Sequence, residues 1–156
     1  MRCSPTLAYI AGPLFNESER VLNRRVADML RSLGVDTFLP QEEAGNASGL
    51  IAAGEDMSTV IRRLFDIDWN GVQRSDFMVA ILNGRVPDEG TCVELGMAYA
   101  LGKPAIGFQS DSRRFAESRN NVMIDGALRI IAHEWDELKD AVVVLMREIH
   151  ATASQL

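Results

Sequence analysis

Along the chain, apolar positions follow two alternating rhythms. "LAYIAG" (7–12) is a short unbroken apolar run ended by Gly12-Pro13, and it predicts a buried strand. The spacing then changes to that of a helix over 17–33. Leu22, Val26, Met29, Leu30 and Leu33 share one face, Asn16 caps the start, Glu17 and Glu19 occupy the first turn, and Gly34 is the stop. "VDTFLP" predicts a second strand, and 44–54 a loop or broken helix. A helix over 58–74 places Ile61, Leu64, Phe65 and Val72 on one stripe.

The same alternation fills the second half. "DFMVAIL" is a third strand, Thr91–Leu101 a helix closed by Gly102, and "PAIGF" a fourth strand. "DSRRFAESRNN" is polar loop, "LRIIAH" a fifth strand, and 136–150 a last helix with Leu138, Val142, Leu145 and Ile149 in register. Strands alternating with helices imply right-handed βαβ units and a parallel sheet covered on both faces. The fold class expected is therefore α/β, one doubly wound domain over 1–156 with five parallel strands. Ligands in such sheets bind at the carboxyl ends of the strands. "GPLF", "PQEE", "NGRVPDEGT" and "QSDSRR" should all open on that edge.

Composition narrows the partners. The chain has 156 residues, 47% hydrophobic and 24% charged, with a net charge of −6. An acidic surface does not attract nucleic acid or an anionic membrane. The two cysteines, Cys3 and Cys92, make no disulfide framework, and no signal peptide or apolar span is evident. A soluble, cytoplasmic domain is expected.

The chemistry concentrates in "VPDEGTCVELGMAYALGKP" (86–104), where Asp88, Glu89 and Glu94 lie close together. Clustered carboxylates repel one another and are costly to desolvate without compensation. Thr91-Cys92-Val93-Glu94 fits a capping box, which gives Glu94 a purely structural duty. The positive end of the helix dipole would also keep a first-turn carboxylate ionised, as a nucleophile at a sugar carbon must be. Asp68 falls on the apolar stripe of its helix, so it must pair, protonate or border a cavity. A core ion pair satisfies that demand, and so does an acid of raised pKa exchanging protons with a heterocycle. Asp88 stands in a turn, Pro87-Asp88-Glu89-Gly90, where Asp is common for local reasons. Tyr9 is either a core tyrosine bonded to backbone or a hydroxyl that holds a carboxylate. Gly12 serves a tight turn or a close approach of backbone to ligand.

Other chemistries find little support. His133 and His150 lack metal-ligand spacing, and no metal or cofactor is expected. Cys92 has acidic neighbours and no evident base. There is no G-x-S-x-G elbow, P-loop or G-x-G-x-x-G, and Arg113, Arg114 and Arg119 are either a phosphate clamp or a solvated loop. Carboxylates in this setting point to glycosyl chemistry, with one carboxylate as nucleophile and an acid for the leaving group.

Four segments, taken in order, resemble the nucleoside 2-deoxyribosyltransferase family: "YIAGPLF", "DWNGVQRSDFMVAIL", "PDEGTCVELGMAYALGK" and "NNVMIDGAL". The resemblance implies a flavodoxin-like domain that exchanges the base of a 2′-deoxyribonucleoside through a covalent deoxyribosyl-enzyme. It implies Glu94 as nucleophile, Tyr9 as its hydrogen-bonding partner, and Asp68 and Asp88 as carboxylates that bind the base and manage its proton. It assigns the sugar 5′-hydroxyl to Asn121 of a neighbouring subunit, pocket lining to Phe15 and Met123, and a base contact to Gln41. The partners implied are a 2′-deoxyribonucleoside, a free nucleobase and further copies of the chain, in deoxynucleoside salvage. Glu89 is left facing solvent.

Three rivals share parts of this pattern. The 2-deoxynucleoside 5′-monophosphate N-hydrolases have a similar fold and nucleophile but a phosphate site, which the three arginines keep open. Phosphoribohydrolases use P-G-G-x-G-T-x-x-E, and here Asp88 and Glu89 replace both glycines. A nucleoside-binding domain without catalysis is the third.

Overall fold

The computed structural model describes residues 5–43, 51–111 and 120–153. In chain order the elements are β1 (Leu7–Ala11), α1 (Glu17–Ser32), β2 (Asp36–Phe38), α2 (Pro40–Glu43), α3 (Met57–Arg74), β3 (Phe77–Ile81), α4 (Glu89–Ala100), β4 (Ala105–Phe108), α5 (Val122–Ala127), β5 (Ile130–Ala132) and α6 (Trp135–Ala153). The five strands form one sheet in the order β2-β1-β3-β4-β5, every pair parallel. This is the flavodoxin-like arrangement, with its switch point between β1 and β3.

Strand parity decides which layer each side chain joins, because successive residues point to opposite faces. Ala8, Ile10, Phe77, Val79 and Ile81 pack with Val26 and Leu30 of α1 and Leu138, Val142 and Leu145 of α6. Tyr9, Ala11, Met78, Ala80 and Leu82 pack with Val72 of α3 and Leu95 and Ala98 of α4. Tyr9 therefore faces the α3–α4 layer, and so does the chemistry built around it.

Local signals in the sequence explain the starts of the helices. Asn16 and Glu19 form a reciprocal capping box on α1, and Asp56 caps α3 through the amides of Ser58 and Thr59. Gly34 and Gly102 take positive φ, 80° and 69°, just past the ends of α1 and α4.

Two expectations need correction. The strand expected over "VDTFLP" is only three residues long, because Pro40 opens α2. The stripe on α3 is buried only toward its C-terminus: Val72 is in the core, whereas Ile61 is 60% and Phe65 45% exposed. An 18-residue helix is roughly 27 Å long, and the five-residue strand that follows it spans about 17 Å. Since α3 runs directly into β3 and is longer than it, its N-terminal turns reach past the carboxyl edge, where Val60 is buried but Ile61 and Phe65 are not. Among the described residues no helix is long and apolar enough to cross a membrane.

Candidate active site at the carboxyl edge of the sheet

Asp88, Thr91 and Glu94 divide the duties that the sequence left open. The N-cap of α4 is Asp88: its Oδ2 accepts from the Thr91 amide at 2.9 Å and from Thr91 Oγ1 at 3.2 Å. The helix thus begins at Glu89, and the capping box expected from Thr91 to Glu94 does not form. An Asp two residues after Val86 takes the cap first, its turn position placing it within reach of the Thr91 amide. Glu94 lies well beyond the first turn, where the helix dipole has little effect.

Glu94 is instead held from β1. Tyr9 Oη donates to Glu94 Oε1 at 2.6 Å across 85 residues of sequence. Tyr9 is fully buried and stacks on Phe38, with ring centroids 5.2 Å apart and planes 12° from parallel. Burial pushes the Glu94 carboxyl up to about 8; the Tyr9 hydrogen bond opposes that shift, and the charges of Asp68 and Asp88 add to it. Glu94 thus lies beyond the first turn in which the sequence placed it, and burial works against its ionisation. Desolvation wins over the helix field at this depth.

Asp68 is the second acid of the cluster, half-buried overall with its Oδ1 fully enclosed. Burial raises it to about 6, with Tyr9 acting in the opposite direction. The Tyr9 proton is already committed to Glu94, and Asp68 Oδ1 has no hydrogen-bond partner among the described residues. Burial, then the proximity of Glu94 and Asp68, drives the Tyr9 phenol well above its ordinary value. Two acids and a phenol held against ionisation thus share one partly desolvated space. Such an arrangement can hold a nucleophile in line and store or release a proton beside it.

The remaining candidates are more dispersed. Gly12 is required by packing, since a Cβ there would lie 2.8 Å from Asn23 Oδ1. Phe15 and Met123 are 76% and 78% exposed, so neither is packed into the Tyr9–Glu94–Asp68 cluster. Asn121 is exposed and caps α5 through the Met123 amide at 2.9 Å. Gln41 has both ends of its amide engaged: Oε1 accepts from Asn23 Nδ2 at 3.1 Å, and Nε2 donates to the Arg20 carbonyl at 3.0 Å. It ties α2 to α1. Glu89 is exposed.

Burial first, then Asp88 and Glu89, raises the Cys92 thiol. His150 Nε2 lies 2.9 Å from Thr6 Oγ1, and His133 Nδ1 3.1 Å from the Gln109 carbonyl oxygen. Arg113, Arg114 and Arg119 lie outside the described residues. Among the described residues no three His, Cys, Asp or Glu side chains are grouped to hold a metal ion. Sequence reasoning missed Phe38 and Asn23, whose only signals are an aromatic in a short strand and a polar residue on an apolar helix face.

The family model described as nucleoside 2-deoxyribosyltransferase matches residues 8–144. The chain belongs to the nucleoside 2-deoxyribosyltransferase family. Among solved structures, the 2-deoxyribosyltransferase of Bacillus psychrosaccharolyticus is 26% identical, with a TM-score of 0.69 over 86% of this chain and 90% of that one. A conserved protein of Enterococcus faecalis V583 is also 26% identical, with a TM-score of 0.74 over 88% and 96%. The 2-desoxiribosyltransferase of Leishmania mexicana shares the fold at 22% identity and a TM-score of 0.58, over 85% and 93%. No curated protein sequence matches the chain significantly. The family model and the structural neighbours support a nucleoside deoxyribosyltransferase-type enzyme.

Proposed function

We propose that the protein exchanges the base of 2′-deoxyribonucleosides by way of a deoxyribosyl group carried on Glu94. The observation that carries this reading is the buried Glu94 carboxylate, held at one oxygen by Tyr9 with Asp68 beside it. In the first half-reaction the other Glu94 oxygen bonds to C1′. The C1′–N bond breaks, its electron pair leaves with the base, and a proton from Asp68 neutralises that base. In the second half, an incoming base attacks C1′, returns a proton to Asp68 and expels the Glu94 carboxylate. The direction of the Asp68 shift, to about 6, suits a group that must both give and take a proton near neutrality.

Glu94 attacks only when ionised and Asp68 gives a proton only when protonated. The active form therefore has the pair's one remaining proton on Asp68, and activity rises from acid pH and falls again above about 8. Asp88, fixed as a cap, lends its remaining oxygen to the base side. The exposed positions of Asn121, Phe15 and Met123 suit contacts completed by a second copy of the chain, with Asn121 reaching the sugar 5′-hydroxyl across the interface. The setting is deoxynucleoside salvage in the cytoplasm.

Chromatography of the protein with 2′-deoxyinosine and adenine tests the reading, with nucleoside-only and 5′-monophosphate controls. Deoxyadenosine appearing with hypoxanthine is the expected result. Free base released from the monophosphate alone would replace transfer by N-glycoside hydrolysis. Saturable nucleoside binding with no product in any tube would leave a binding module.

A further inference from the structure

One buried amide outside the acid cluster joins three segments at the carboxyl edge. Asn23, on α1, is 2% exposed. Its Nδ2 donates to the Pro13 carbonyl at 2.9 Å and to Gln41 Oε1 at 3.1 Å. Its Oδ1 has no hydrogen-bond partner among the described residues and faces Gly12, where a Cβ would approach to 2.8 Å. The polarity of this chain of contacts is determined from its far end. The Arg20 carbonyl can only accept, so Gln41 must point Nε2 toward it and Oε1 toward Asn23. Asn23 must then point Nδ2 toward Gln41, and the Pro13 carbonyl demands the same.

We propose that Asn23 is a positioning residue for the substrate site. It clamps the Gly12–Phe15 turn, three residues beyond Tyr9, to the start of α2, and so sets the distance between two segments at the carboxyl edge of the sheet. This rests on the proposed function for its catalytic consequence, but the clamp itself does not. A polar side chain buried this deeply on the inner face of α1, among Val26, Ala27 and Leu30, is costly unless it is hydrogen-bonded. An apolar residue would pack there without that cost. Arg20 Nη1 also holds the Leu14 carbonyl and Glu19 Oε2 the Phe15 amide, each at 2.9 Å, but both contacts are exposed; Asn23 supplies the more buried anchor, at the Pro13 carbonyl.

The test compares Asn23→Asp, Asn23→Ala and Gln41→Ala with the parent. Asp is nearly isosteric but sets an acceptor against the Pro13 carbonyl and Gln41 Oε1. The expected result is an increase in KM for the nucleoside of about 10- to 100-fold in both Asn23 variants, with a smaller change in kcat. Gln41→Ala, which leaves the Pro13 link intact, should raise KM by a smaller factor and keeps the test available if the Asn23 variants do not fold. The acid limb of the pH profile, which belongs to Glu94, should stay in place. Hydrogen exchange of the 12–16 amides should quicken in Asn23→Ala with the rest of the sheet unchanged.

Folded Asn23 variants within twofold of the parent in kcat/KM would overturn the proposal, and so would a loss confined to kcat with a displaced acid limb. If the parent acts on neither deoxynucleosides nor their monophosphates, the proposed function fails and exchange at 12–16 decides the clamp. Quickened exchange there supports it, and unchanged exchange overturns it.

Discussion

Tyr9 lies flat on Phe38, 5.2 Å between ring centroids, and Phe38 occupies the space above Gly71. A Cβ on Gly71 would come within 2.6 Å of the Phe38 ring. The glycine in α3 therefore admits the ring that supports the tyrosine that holds Glu94. Gly71→Ala should force Phe38 aside, destabilising the fold by about 1–3 kcal/mol. It should also lower base exchange beyond what partial unfolding explains. Urea titration alongside initial rates checks this, and an unchanged midpoint with full activity would refute it.

Removing the Tyr9 hydroxyl isolates its effect on Glu94. Tyr9→Phe keeps the ring stack and deletes the donor, and the hydrogen bond is what opposes the rise of the Glu94 carboxyl. The carboxyl should rise further, and the acid limb of kcat/KM should move upward by about one pH unit. That amounts to about a tenfold loss on the acid side and much less above the limb. A uniform loss at every pH would mean that Tyr9 acts by geometry alone.

Glu94→Gln should abolish exchange, with a loss of about three orders of magnitude or more. The same variant reports on stability. The folded-state value of Glu94 is about 8 against an ordinary 4.5, so the folded protein keeps this proton where the unfolded chain has lost it. Stability from this group is fully present below 4.5 and is lost as pH rises to 8. Glu94→Gln should therefore gain in Tm relative to the parent as pH is raised, more at about pH 9 than at about pH 5. Thermal melts at the two pH values measure the difference.

Asp68→Asn should shift the acid limb the other way. The Asp68 charge raises the Glu94 carboxyl, and removing it lets that carboxyl ionise at lower pH. At the same time kcat should fall by about 10²- to 10⁴-fold, because the leaving base loses its acid. Tm above about pH 6 should hold or rise, since the buried Asp68 Oδ1 has no partner to lose. A pH–rate profile with melts separates these effects.

Asp88 has two duties that two substitutions separate. Asp88→Ala removes the cap of α4 and should cost about 1 kcal/mol, whereas Asp88→Asn retains a good cap. If the carboxylate serves the base, both variants should lose activity while only Ala loses stability. Full activity in Asp88→Asn would confine Asp88 to the cap.

Much of the fold was legible from spacing. The alternation of apolar runs with 3.6-residue stripes marked all five strands and the four long helices, because burial imposes those periods whatever the partners are. Helix starts at Asn16 and stops at Gly34 and Gly102 were equally local. The start of α4 was misplaced by two residues because two plausible caps, Asp88 and Thr91, lie three residues apart, and only backbone geometry chooses between them. The α3 stripe misled because periodicity records which residues share a face, not how far the neighbouring sheet extends beneath it.

Sequence alone determined that acids gather at the edge where β3 gives way to α4, and that Asp68 lies on an apolar stripe. These follow from short-range spacing, to which side-chain direction in helices and strands is tied. Tertiary structure alone decided which acid is which. Asp88 became a cap, Glu89 a solvated charge, and Glu94 a desolvated carboxyl bound to Tyr9, a residue 85 positions away. Parallel strand pairing brings β1 beside β3 and so sets Tyr9 opposite α4, and pKa depends on burial and neighbours that spacing does not record. The links from Gly71 through Phe38 to Tyr9, and from Asn23 to Pro13 and Gln41, have the same origin: contacts between elements distant in sequence.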